Sequence, residues 1–281
     1  MMKLRHAATG ALLAALATFA TFATFAHAEH PICTIVADAA TGKAVLHEGK
    51  CDERVTPAST FKLALAVMGF DHGFLKDEHT PVEHFKRGDP DWGGEAWHQP
   101  IDPALWLKYS VVWYSQRITH AMGAQTFQAY VRKLGYGNMD VSGDPGKNNG
   151  MDRSWITSSL KISPEEQVGF MRRIVNRQLP VSAHTYEMVD RTVQTWQVPG
   201  GWAVQGKTGT AGPAPGNTSP DGTWDQAHAY GWFVGWTKRG NKTYVFANLI
   251  QDDKVEPTSG GVRSRDAMLA RLPEVLAFGG H

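Results

Sequence analysis

The stretch Pro57-Ala58-Ser59-Thr60-Phe61-Lys62-Leu63-Ala64-Leu65-Ala66-Val67-Met68-Gly69 decides how this chain is read. Residues 61–68 are apolar except for Lys62. A proline stands before them and a glycine after, the usual punctuation of a helix start and stop. The pattern predicts a helix ending near Gly69. Ser59 and Lys62 are three positions apart, so a helix places them on one face about one turn from each other. A serine hydroxyl is a poor nucleophile until a neighbouring base takes its proton. Lys62, between Phe61 and Leu63, has no evident counter-charge, and burial there favours the neutral amine. The free N–H groups of the helix start favour negative charge developing on the hydroxyl. Taken alone, S-x-x-K reads more readily as a helix cap followed by a solvated lysine, so the rest of the chain has to decide.

Toward the N-terminus, Ile35-Val36-Ala37 and Ala44-Val45-Leu46 flank a turn at Ala40-Thr41-Gly42-Lys43 and predict a hairpin. That hairpin brings together Cys33 and Cys51, the only two cysteines, and favours a disulfide in an exported chain. Export is expected from the first 28 residues. Lys3, Arg5 and His6 precede the apolar run Ala11 to Phe25, which ends in Ala26-His27-Ala28, a small-x-small cleavage signal. Residues 1–28 therefore read as a signal peptide cut after Ala28. Residues 29–281 read as a periplasmic catalytic domain with no membrane segment.

Toward the C-terminus, residues 71–100 are rich in Gly, Pro, Asp, His and Trp and read as irregular. Asp102-Pro103 opens a helix expected to carry Leu105, Trp106, Val111, Trp113, Tyr114 and Ile118. Further helices are expected at Ala124 to Leu134, after the capping box Ser163-Pro164-Glu165-Glu166, and from Ala183 to Thr195. Residues 137–153 read as a loop. Trp202 to Gln205, Tyr230 to Trp236 and Thr243 to Ile250 are β-rich, the last two joined by a turn at Lys238-Arg239-Gly240-Asn241. A final helix, Arg265 to Leu276, carries an apolar stripe of Met268, Leu269, Leu272 and Leu276. Strands at both ends of the chain and helices in its middle predict an α/β protein of the α+β type. Its antiparallel sheet is flanked by helices, with an all-helical lobe inserted at about residues 75–195 and a ligand cleft between.

Composition narrows the chemistry. The 281 residues suffice for a substantial core, with 42% hydrophobic and 20% charged residues, and the net charge of +1 gives no reason to expect nucleic acid. No close-spaced ligand pair such as H-E-x-x-H points to a metal. Against that background Lys207-Thr208-Gly209 stands out. A K-T-G element accompanies S-x-x-K in penicillin-recognising enzymes, where lysine supplies a cation, threonine a hydroxyl, and glycine room for a ligand beside the strand. Ser110-Val111-Val112 lies between the two, on the helix expected from Asp102.

These motifs, in this order, resemble the class D (oxacillinase-type) β-lactamases across essentially the whole chain after residue 28. Pro57 to Lys62 looks like the family's nucleophile motif, Ser110-Val111-Val112 its S-x-V, and Tyr136-Gly137-Asn138 its Y-G-N. Trp155, with Leu160, Ile162 and Ser163, looks like its W-x-x-x-x-L-x-I-S, and Lys207-Thr208-Gly209 with Tyr230 to Trp236 completes the series. The S-D-N signature of class A is absent, since Val112 stands in place of its asparagine.

The resemblance implies a β-lactamase/transpeptidase-like fold and hydrolysis of penicillin-type β-lactams through an acylated Ser59. It implies that Lys62 is N-carboxylated by CO2 or bicarbonate and serves as the base, with no other cofactor. Trp155 then donates to the carbamate, and Ser110 relays a proton between Lys62 and Lys207. Backbone N–H groups of Ser59 and Thr210 form an oxyanion hole. Val112, Tyr136, Asn138, Lys207, Thr208 and Gly209 contact substrate. An arginine entering the last helix binds the substrate carboxylate; Arg265 fits the helix register better than Arg263, whose other reading is a surface charge. The alternatives are a β-lactam sensor domain and a penicillin-binding transpeptidase or carboxypeptidase. Substrate range is expected to depend on residues 92–106 and 211–227, and a homodimer is left open.

Overall fold

Alternation along the strands sorts their side chains onto two faces. The computed structural model describes residues 29–213 and 225–278; the expected signal peptide and most of the 211–227 loop lie outside the described residues. Six strands, β1 (Glu29–Asp38), β2 (Ala44–Gly49), β3 (Thr195–Val198), β4 (Trp202–Ala211), β5 (Tyr230–Arg239) and β6 (Lys242–Asp252), form one antiparallel sheet ordered β2-β1-β6-β5-β4-β3. The helices are α1 (Lys62–His72), α2 (Pro103–Tyr109), α3 (Val112–Met122), α4 (Ala124–Leu134), α5 (Gly150–Arg153), α6 (Pro164–Val175), α7 (Ala183–Thr192) and α8 (Gly260–Phe278). Val36, Val204, Phe233 and Phe246 pack on one sheet face with Met268, Leu272 and Leu276 of α8. Ile35, Val234, Val245 and Ala247 face the other way, into a larger core shared with α1, α3, α4 and α6. The central helix α1 is buried along nearly its whole length, which explains its apolar sequence.

The hairpin of β1 and β2 forms, and Cys33 and Cys51 are disulfide-bonded with Cα atoms 5.1 Å apart. The capping box at Ser163 and Glu166 closes both reciprocal hydrogen bonds. Several boundaries differ from expectation. Helix α1 runs past Gly69 to His72 and is stopped by Gly73 in the left-handed region (φ 84°). Gly69 instead makes room for Leu75, whose side chain would lie 2.8 Å from a Cβ there. The helix expected from Ala183 to Thr195 ends at Thr192, because Thr195 begins the edge strand β3. Part of the 137–153 loop is helical, as α5. The last helix starts at Gly260 rather than Arg265, so it includes Arg263 as well. Its start is seated on the sheet: a Cβ on Gly231 would fall 2.4 Å from the Gly260 carbonyl group.

The main correction concerns the helix expected from Asp102 through Ile118. It is two helices. Asp102 caps α2 through Leu105 N (2.7 Å), but Ser110 turns left-handed (φ 59°) and Val111 is extended before α3 begins. The apolar periodicity runs on across the break because Trp106, Val111 and Trp113 all reach one core. Periodicity alone could not reveal that Ser110 sits at a corner.

Candidate active site

Three strained corners converge on one cleft. Ala58 (φ 50°), Ser110 (φ 59°) and Thr157 (φ 50°) are non-glycine residues in the left-handed region. Ser59, Ser110 and Thr157 all line a cavity of about 750 Å³. Backbone held in such sparsely populated conformations marks sites where the fold over-determines a side chain's position. The sheet side of this cleft is made by Thr208, Gly209, Thr210 and Ala211 of β4, Trp196 of β3, and Val262 and Arg265 of α8. The helical side includes Trp92, Trp97, Lys108, Tyr109 and Val112.

Ser59 lies on a short 3-10 turn, Ala58–Phe61, that feeds directly into Lys62, the first residue of α1. Lys62 is fully buried, and its Nζ donates to Ser59 Oγ at 3.1 Å. Burial holds its pKa well below 10.5, and the nearby charge of Lys207 lowers it further. Among the described residues no carboxylate forms an ion pair with it. A buried, uncompensated lysine is a neutral amine, which is what a base beside a hydroxyl requires.

The surroundings carry unused polar atoms. Trp155 Nε1 and Ser110 Oγ are buried and have no hydrogen-bond partner. Trp155 packs on Phe61 (ring centroids 5.6 Å apart), which lies between Ser59 and Lys62 in the turn that leads into α1. An orphaned buried donor costs about 1–3 kcal/mol. Trp155 Nε1 and Ser110 Oγ are thus two buried polar atoms with hydrogen-bonding capacity to spare.

Thr56 ties these parts together, a role the sequence did not signal. Trp232 Nε1 of β5 donates to its carbonyl (2.9 Å), its own hydroxyl donates to Trp155 O (3.0 Å), and Thr157 N donates to that hydroxyl (3.2 Å). Sheet, nucleophile turn and Trp155 loop thus share one buried threonine.

On β4, Lys207 is 4% exposed and donates to Thr208 O at 3.0 Å. Burial, then the charge of Arg265, brings its pKa down to about 7. The K-T-G element lies inside the strand rather than after it. Gly209 suits the close approach there: a Cβ would sit 3.0 Å from Pro57 O and 3.1 Å from Thr60 N, tighter than ordinary packing. Thr210 Oγ1 accepts from Gly261 N (2.9 Å), fastening the strand to the start of α8.

The two arginines separate cleanly. Arg263 is not a surface charge: it is 9% exposed and paired with Asp252 at 2.5 Å. Arg265 lines the cleft and lies over the Trp196 ring, 5.8 Å from its centroid. Tyr136 and Asn138 do not line the cleft. Tyr136 is buried against Phe61 and Phe170, each ring 5.1 Å away. Asn138 clasps a loop, donating to Ser159 O (2.8 Å) and accepting from Lys161 N (3.0 Å). Tyr136 supports Phe61 and Asn138 holds the 138–161 loop together, although a tyrosine and an asparagine next to a positive-φ glycine read equally as ligand contacts from sequence. Trp92, Tyr109, Thr157 and Trp196 line the cleft without belonging to any motif, so only topology reveals them. Among the described residues no group of three or more His, Cys, Asp or Glu is placed to hold a metal.

Residues 32–274 match the family of the penicillin-binding protein transpeptidase domain. The chain is 41% identical to β-lactamase OXA-9 of Klebsiella pneumoniae, over 87% of this chain and 88% of that one. It is 36% identical to β-lactamase OXA-1 of Escherichia coli, over 78% of this chain and 75% of the relative. The crystal structure of the class D β-lactamase OXA-427 superimposes with a TM-score of 0.80 at 41% identity, covering 88% of this chain and 99% of that one. The chain belongs to the class D β-lactamases.

Proposed function

We propose that this β-lactamase opens the β-lactam amide of penicillin-type antibiotics through an acyl-enzyme on Ser59, with Lys62, N-carboxylated, as general base. The observation that carries this reading is the 3.1 Å contact between Ser59 Oγ and a fully buried lysine amine that has no counter-ion among the described residues. Carboxylated, Lys62 supplies an oxygen base in place of nitrogen, with Trp155 Nε1 as its donor. Ser59 gives up its proton toward Lys62 and attacks the lactam carbonyl. The backbone N–H groups of Ser59 and Thr210 receive the oxyanion. Ser110, whose hydroxyl has no other partner, passes a proton to the leaving nitrogen. Lys207, Thr208 and Arg265 hold the substrate carboxylate, and Gly209 lets the substrate lie against β4. Retaining the base after acylation allows water to be activated, which separates a lactamase from a sensor or a transpeptidase.

Cleavage after Ala28 releases residues 29–281 into the periplasm, and among the described residues no helix is long and apolar enough to cross a membrane. Mass spectrometry during turnover of a penicillin tests the chemistry. Ser59→Ala is expected to form no adduct, and Lys62→Ala to accumulate at most a stable adduct on Ser59. A fully active Ser59→Ala enzyme refutes the assignment.

A further inference from the structure

We propose that Trp92 is a specificity-determining residue that stacks against an aromatic acyl side chain of the substrate. This rests on the β-lactam reading of the cleft. Trp92 is 64% exposed, and of the exposed large hydrophobics among the described residues it alone lines the cleft; Val82, Met139 and Val255 do not. Leaving an indole face in water forgoes substantial burial energy. The loop around it is nevertheless built to present that face.

The presentation is fixed at several points. Asp89 accepts two hydrogen bonds from Arg117 (3.0 and 2.8 Å) and one from Lys86 N (2.8 Å). Asp91 is paired with His98 at 2.6 Å, and the His98 ring lies against Phe85, centroids 4.5 Å apart. Trp92 rests on Trp97 with ring centroids 5.5 Å apart. Trp97 is itself buried and pinned: its Nε1 donates to Tyr109 O (2.9 Å), and its carbonyl accepts from Trp113 Nε1 (3.3 Å). Tyr109 immediately precedes the Ser110 corner, so the ring platform is tied directly to the catalytic turn. Position 93 has to be glycine, since a Cβ would fall 2.0 Å from the Trp97 ring.

The placement selects which end of the substrate is involved. The cationic groups Lys207 and Arg265 come from the sheet side, and Arg265 already covers the Trp196 face. Trp92 comes from the helical side. A β-lactam anchored by its carboxylate at the sheet side extends its acyl side chain away from those cations. An exposed ring on the helical side favours a flat apolar group there over a small or aliphatic one.

The test compares kcat/KM for benzylpenicillin, which has an aryl side chain, and 6-aminopenicillanic acid, which has none, in wild type, Trp92→Ala, Trp92→Leu and Trp92→Phe. We expect Trp92→Ala and Trp92→Leu to lower the benzylpenicillin to 6-aminopenicillanic acid ratio about three- to tenfold, mainly through KM, the size expected for one aromatic pair. Trp92→Phe is expected to retain most of the ratio. A ratio unchanged in Trp92→Ala, or an equal loss for both substrates, overturns the proposal, the latter meaning that Trp92 only supports the loop. Wild-type enzyme that turns over neither substrate overturns the underlying β-lactam reading instead.

Discussion

Trp155→Phe separates the two states of Lys62. In the structure Trp155 Nε1 is buried without a partner, so the unmodified enzyme carries an unsatisfied donor costing about 1–3 kcal/mol. Phenylalanine removes that donor and leaves a small void among Phe61 and Phe127, so in CO2-free buffer the two effects oppose each other and the stability change is small. With the carbamate present the balance differs. The indole N–H then makes a hydrogen bond to a charged acceptor, worth about 1.5–3 kcal/mol. Trp155→Phe should therefore need about 10- to 100-fold more bicarbonate than wild type for half-maximal activity. The assay is initial rate against bicarbonate concentration on CO2-depleted protein, with urea midpoints measured at both extremes. An identical bicarbonate dependence in the two proteins refutes the idea that this indole serves the carboxylated lysine.

Other perturbations follow from the same geometry. Lys207 binds fewer protons folded than unfolded between about pH 7 and 10.5, so stability rises with pH across that window and is lost as pH falls toward 7; Lys207→Met should flatten the slope of urea midpoint against pH. Arg263→Ala strands Asp252 and should cost about 3–5 kcal/mol in denaturant unfolding, whereas Arg265→Ala should leave stability nearly intact and raise KM. Gly231→Ala drives a methyl group into Gly260 and should destabilise by about 1–3 kcal/mol while displacing the start of α8, seen as a higher KM.

Much of the site could be read in the sequence because its chemistry sits in local runs. Ser59 and Lys62 share one turn, and the apolar residues around them already imply a neutral amine. The sheet was legible where turns and alternation agreed, as at Lys238 to Asn241 between β5 and β6. What stayed hidden depends on contacts distant in the chain. The break at Ser110 is invisible to periodicity because both flanking helices bury into the same core. The fate of Arg263 depends on Asp252, a strand residue that no helix register can place beside it. Tyr136 lies in a motif yet faces the interior, and Asn138 beside it is spent on holding a loop, while Trp92 and Trp196 reach the cleft through irregular structure and an edge strand. Thr56 shows the same limit: its three partnerships join residues about 100 to 176 positions apart.

The proposed chemistry requires Lys62 to be an uncharged amine that captures carbon dioxide beside Ser59. Carbon-13 NMR of the enzyme in labelled bicarbonate reports this directly. A carbamate resonance that is present in wild type, absent in Lys62→Ala, and lost on acidification together with activity is the predicted result. Full activity in CO2-free buffer with no such resonance would contradict it.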